Sequence, residues 1–237
     1  MRRHRRTTHL LLAATLLATP ALLAGCGADD KTPAATDTTG ADALTTSVLL
    51  TDDDTVYSDG ADWFRTGAGE GDGQSVFNPC AEQSLAGTGA TSVVRADYEL
   101  RNSEAGAPEV GGDSLIQVVA RYDDEAAATR AWSRVNGWLE ECASRPAELR
   151  EYRAFQTRKV AVAGTDAVIT DAHLGPVAEE VDPSGDAAYI METGVLRKGT
   201  ELVVLTSVIV GQDYDFVGAT PVEQMLPKAA DRLSGSA

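Results

Sequence analysis

Three stretches of the chain carry residue types able to do chemistry. Asp52-Asp53-Asp54-Thr55-Val56 follows the apolar Val48-Leu49-Leu50 and fits an Asp-x-Asp-x-Thr/Val pattern, in which one carboxylate attacks phosphorus and the next acts as general acid. That mechanism needs the end of a buried parallel strand, a downstream Lys and an acidic pair for Mg²⁺. The chain lacks the alternating βα order that builds such a site, so an acidic turn at the domain entrance is the expected structure. Calcium is the second possibility, through Asp52, Asp53, Asp54, Asp59 and Asp62. Their spacing departs from Asp-x-Asp-x-Asp-Gly, and 36 acidic residues in 237 make a local cluster unsurprising. Nucleophilic catalysis is the third. Neither Gly-x-Ser-x-Gly nor Ser-x-x-Lys occurs, and His173 is the one histidine outside the leader. It precedes Gly175-Pro176 in a strand-like run, where a surface or hydrogen-bonded structural histidine is expected. Carboxylate pairs suited to a glycosidase carry little information in so acidic a chain. Gly67, Gly69, Gly71 and Gly73 alternate with small and acidic residues, which repel phosphate, and read as a mobile surface loop. No catalytic residue, metal ligand or cofactor is expected.

The cysteines carry a different chemistry. Arg2, Arg3, Arg5 and Arg6 precede an apolar run from Leu10 to Leu23, interrupted at Pro20, and Leu23-Ala24-Gly25-Cys26 closes it with small residues. The run is too short for a spanning helix of about 20 residues. The pattern resembles the lipobox of signal-peptidase II substrates, which implies cleavage before Cys26, a diacylglyceryl thioether on its sulfur and acylation of its amine. Residues 1–25 are then a lipoprotein signal peptide. Cys80 and Cys142 remain as one possible disulfide pair in an oxidising compartment. They would close a loop for which chain entropy gives roughly 4 kcal/mol. Two free thiols are the alternative. A Cys-Cys metal site is disfavoured because two thiolates do not complete a tetrahedral shell.

Loss of a leader with four arginines and no acids takes the formal charge from −16 to −20. Nucleic acid and anionic phospholipid are therefore poor partners, since phosphate binding draws on clustered Lys and Arg. Residues 26–43, rich in Thr, Ala, Asp and Gly, read as a disordered tether. The rest, 44–237, has the length of a single domain.

Within it, the spacing predicts a helix from about Asp123 to Cys142. Asp123, Asp124 and Glu125 supply an acidic first turn, and Ala128, Ala131, Trp132, Val135, Trp138, Leu139 and Cys142 share an arc of about 120°. Trp132 is expected in the core, and Trp138, at the edge of the arc, on a cleft. Six strands are predicted: Val93 to Arg101, Ser114 to Tyr122, Phe155 to Val162, Ala167 to His173, Ala187 to Leu196 and Glu201 to Val210. Arg197-Lys198-Gly199-Thr200 is a hairpin turn between the last two. Thr220-Pro221-Val222-Glu223 combines a capping box with Pro at the first helical position and opens a second helix. Its stripe is Val222, Met225, Leu226, Ala229 and Leu233, and Pro227 predicts a kink or a short first turn. The expected fold is α+β, an antiparallel sheet covered on one face by two main helices.

The order of these parts resembles the PknH-like extracellular sensor domain of actinobacteria. The resemblance is carried by an acidic N-terminal segment, Asn78-Pro79-Cys80 followed by Ser84-Leu85-Ala86, the strand from Ile116 to Tyr122, and Asp124-Glu125-Ala126-Ala127-Ala128 leading to Trp138-Leu139-Glu140-Glu141-Cys142. It implies a central antiparallel sheet, a cleft for a ligand and a Cys80–Cys142 disulfide. This chain departs from the kinase sensor in lacking cysteines for a second disulfide. The reading is a non-enzymatic ligand-binding or sensor domain, held on the extracytoplasmic face of the cell membrane by lipid on Cys26. Its partners are that membrane and a small ligand or envelope component. A cell-envelope hydrolase and a structural envelope lipoprotein are the alternatives.

Overall fold

A computed structural model describes residues 43–57, 61–73, 76, 83–102, 113–144, 152–174, 177–180, 183–185, 188–211 and 219–234. The leader, Cys26, most of the tether, Asp59, Cys80 and Gly175-Pro176 lie outside them. Every described residue belongs to one unit, Gly40–Ala237.

Seven strands form one wholly antiparallel sheet: β1 (Ala61–Glu70), β2 (Ser92–Asn102), β3 (Ser114–Arg121), β4 (Tyr152–Lys159), β5 (Asp166–Leu174), β6 (Ala188–Lys198) and β7 (Glu201–Gly211). Their order is β1-β2-β3-β7-β6-β5-β4. Two meanders, β1 to β3 and β4 to β7, therefore meet where β3 pairs with β7. Helix α1 (Glu125–Ser144) links the meanders and α2 (Pro221–Ser234) follows them.

The predicted strands and both helices are present, within a few residues of the expected ends. The covering of the sheet is different: the helices lie on opposite faces. Val118, Ala120, Leu202 and Val204 pack with Ala128, Ala131, Val135, Leu139 and Cys142 of α1. Leu115, Val119, Val203 and Leu205 pack with Val222, Met225, Leu226, Ala229 and Leu233 of α2 and with Leu44, Val48, Leu49 and Leu50. The central strands announce this, because Leu202-Val203-Val204-Leu205 does not alternate with polar residues, and a continuous apolar run marks a strand buried on both sides.

β1 was not among the expected strands. Gly67 and Gly69, read above as a mobile loop, lie in this exposed edge strand, with a register shift between Arg65 and Gly67. Glycine dilutes the strand signal. The hairpin holds as expected: Lys198 pairs with Glu201, and Gly199 at φ 56° takes the left-handed position of the two-residue turn. Pro227 sits inside α2, which continues through it.

The N-terminal segment is pinned to the α2 face by buried polar contacts. Leu50 N donates to Gln117 Oε1 at 2.7 Å, and Tyr98 Oη donates to Leu50 O at 2.8 Å. On the α1 face, Thr157, Thr170, Thr193 and Thr206 stand opposite one another across β4, β5, β6 and β7. Thr206 Oγ1 donates to Val76 O at 2.8 Å. Val76 is thereby held beneath α1.

Candidate functional site

A row of three side chains crosses the sheet at the N-terminus of α2. Asp171 on β5 lies opposite Glu192 on β6, and Glu192 lies opposite Ser207 on β7. Side chains repeat every second residue along a strand, so His173 and Ile190 share that face. Tyr57 closes one side, and Thr220 and Pro221 close another. These residues enclose a cavity of about 220 Å³. Gly194 explains how α2 comes so close: a Cβ there would stand 2.7 Å from Val222 Cγ1 and 3.1 Å from both Leu226 methyls. Only glycine lets the first turn of the helix settle on β6.

Glu192 is the centre of the site. It is 6% exposed, and its carboxyl ties the sheet to the helix start. Thr220 Oγ1 donates to Glu192 Oε1, and Val222 N donates to Glu192 Oε2 at 3.0 Å. A carboxyl at a helix N-terminus meets unpaired N–H groups and the positive end of the dipole. Thr220 also accepts from Glu223 N at 3.3 Å, the first half of the predicted capping box. The second half is diverted, because the Glu223 carboxylate pairs with Arg158 Nη1 at 2.8 Å.

Arg158 on β4 faces three acids: Glu223, Asp171 at 3.6 Å and Glu192 at 3.8 Å. Only the first distance is a good hydrogen bond. Burial pushes the Glu192 carboxyl up to about 7 and the charge of Asp171 adds to the rise, against the lowering pull of Thr220, Val222 and Arg158. Burial also raises Asp171, opposed by Arg158 and by a hydrogen bond from Glu192. Two buried carboxyls opposite each other on paired strands disfavour a second negative charge, so the pair favours holding one proton.

A second cavity of about 590 Å³ lies between α1 and the β4–β5 edge, walled by Trp132, Leu139 and Val168 and rimmed by Asn136 and Lys159. Trp132 lines it. Trp132 packs against the α1 core as expected and also lines this cavity, whereas Trp138, expected on a cleft, is partly buried against the same core.

The other predicted groups go elsewhere. Asp52–Asp54 is a 3-10 turn, not the end of a parallel strand. Asp52 Oδ1 accepts from Arg65 N at 2.9 Å. Asp54 Oδ2 accepts from Thr51 N and from Arg232 Nε, each at 2.8 Å, which joins the N-terminal segment to α2. These hydrogen bonds hold the Asp54 carboxyl below its ordinary value despite the opposing effect of burial, the largest single influence on it. Among the described residues no three His, Cys, Asp or Glu side chains are arranged to hold a metal ion. His173, set aside above as structural, belongs to the cavity, and Asp171, Glu192 and Arg158 were not singled out. Their signal was faint: Asp171-x-His173 and Glu192 are polar breaks in otherwise apolar strands. Cys142 is 2% exposed on the packed face of α1.

No family model and no curated protein matches the chain. Solved structures similar to it include two mycobacterial proteins. The extracellular domain of PknH from Mycobacterium tuberculosis is 13% identical with a TM-score of 0.43, over 73% of this chain and 84% of that one. An uncharacterised Mycobacterium smegmatis protein, the Rv0999 ortholog, is 9% identical with a TM-score of 0.36, over 76% of this chain and 92% of that one. The model shares with the sequence reading an α+β architecture built on an antiparallel sheet. Among the described residues no helix is long and apolar enough to cross a membrane.

Proposed function

We propose that this chain is an extracytoplasmic, non-enzymatic binding or sensor domain of the PknH-like kind, tethered through lipid on Cys26, that holds a small ligand in the cavity at the start of α2. The observation that carries the reading is the convergence of Glu192, Asp171, His173, Ser207 and Tyr57 on one enclosed space. Ligand sites are concave, with a few placed polar groups among apolar walls, and this cavity has that character.

The hydrolase alternative fits less well. Ser207 and His173 stand on strands separated by β6, and among the described hydrogen bonds none joins them, as activation of a serine by a histidine requires.

Cys142 with Cys80 completes the proposal as a structural disulfide. Val76 and Leu85, on either side of Cys80 in the chain, share the buried cluster of Cys142. Intact mass after alkylation without reductant decides the pair, and two labelled thiols on Cys80 and Cys142 refute it. For the binding reading, a thermal-shift panel of compact metabolites should raise the melting temperature of the full chain, with His173→Ala losing at least about tenfold in affinity. A panel without a hit, or hits indifferent to His173→Ala, refutes the assignment of this cavity. Membrane fractionation tests the anchor: Cys26→Ala should release the chain from the membrane pellet.

A further inference from the structure

This inference rests on the proposed cavity and names what enters it. The titratable and charged groups facing the cavity beside Glu192 are Asp171 and His173 from β5, Arg158 from β4 and Glu223 from α2. Tyr57 and Ser207 add neutral hydroxyls. Three carboxyl groups thus face one guanidinium. That guanidinium is spent mainly on Glu223, at 2.8 Å, and stands 3.6 and 3.8 Å from the other two acids. Burial raises both carboxyls and the charge of Asp171 raises Glu192 further, so two adjacent anions are disfavoured in this buried place.

We propose that the cavity recognises a compact ligand bearing one ammonium group, which takes its place against the Asp171 and Glu192 carboxyls. At a pH where this pair holds a proton, entry of the ligand releases it. The balance is simple: an ammonium group enters, one proton leaves to solvent, and no covalent bond to carbon, nitrogen or oxygen in the ligand changes. The ammonium presents three N–H donors to a pair of carboxylates, which accept without needing the proton. Ile190 and Pro221 supply apolar wall for a short hydrocarbon body, and Tyr57 supplies an aromatic edge. About 220 Å³ limits that body to roughly ten non-hydrogen atoms.

The test is titration calorimetry on the full chain in detergent with benzylamine, benzyl alcohol and benzoate, which share shape and differ in charge. Benzylamine should bind at least about tenfold more tightly than either, and its affinity should fall about tenfold from pH 8 to pH 6. At pH 6 the heat should vary with buffer ionisation enthalpy as about one released proton requires. Glu192→Gln should abolish that proton release and Asp171→Asn should reduce it, and the second variant keeps the proposal testable if the first unfolds. Equal binding of the alcohol overturns the charge claim and leaves the cavity reading standing. Amine binding without proton release overturns the displacement claim. Failure of all three probes overturns the inference, whereas the broader reading falls only if the metabolite panel with His173→Ala also fails.

Discussion

Replacing Glu192 by Gln should make the unliganded protein more stable at pH 8, although Glu192 holds the start of α2. A raised carboxyl binds its proton more tightly folded than unfolded. Between the ordinary value of 4.5 and the folded value of about 7, the folded chain keeps a proton that the unfolded chain has released. Stability from this group is complete below the unfolded value and is lost as pH rises through the folded one. The gap corresponds to about 3 kcal/mol at 1.36 kcal/mol per pH unit. Glutamine does not titrate. Its amide N–H₂ can donate to Asp171 in place of the pair's proton, and its carbonyl can accept from Val222 N. At pH 5 the two proteins should melt within a few degrees of each other. At pH 8 the variant should melt higher by up to roughly 6–12 °C, for a domain of this size. Scanning calorimetry in steps from pH 5 to pH 8 measures both. Parallel curves for Glu and Gln, or a wild-type melting temperature that rises with pH, would refute the assignment of a buried, proton-holding Glu192.

Other positions give independent expectations. Gly194→Ala places a methyl 2.7 Å from Val222 Cγ1, so α2 must lift from β6; a loss of about 1–3 kcal/mol in urea unfolding is expected, and an unchanged midpoint would mean the helix does not depend on that contact. Thr206→Val leaves Val76 O without its donor in the core beneath α1 and should lower stability by about 1–2 kcal/mol, read in the same assay. Arg232→Ala removes the partner that ties Asp54 and Thr51 to α2. Because both charged groups are partly exposed, the loss should be about 1 kcal/mol and should shrink in high salt, and a salt-independent loss would point to packing instead.

Much of the fold was legible in local pattern. The α1 stripe, the Val222 to Leu233 stripe and the hairpin at Gly199 each follow from spacing, because a helix repeats every 3.6 residues and a tight turn needs a residue that tolerates positive φ. β1 was missed because Arg65-Thr66-Gly67-Ala68-Gly69 has little to bury on either face of an exposed edge. The Asp52–Asp54 cluster was conspicuous in sequence and is structurally ordinary, committed to Arg65 N and Arg232. The cavity was the reverse. Its acids are single polar letters in apolar strands, as inconspicuous as any of the 36.

The sequence by itself determined both helices, six of the strands, the acidic character and the α+β class, since each depends on neighbours a few positions away in the chain. The Leu23-Ala24-Gly25-Cys26 signal is local in the same way, and so is the reading drawn from it. Tertiary structure decided that α1 and α2 take opposite faces of the sheet, and that Asp171, Glu192 and Ser207 stand in one row. Register and burial are long-range properties: Asp171 and Glu192 meet because β5 and β6 pair without a shift, and Gly194 lets α2 close over them. A carboxylate becomes a proton-holding group only when water is taken from it, and no local pattern records that.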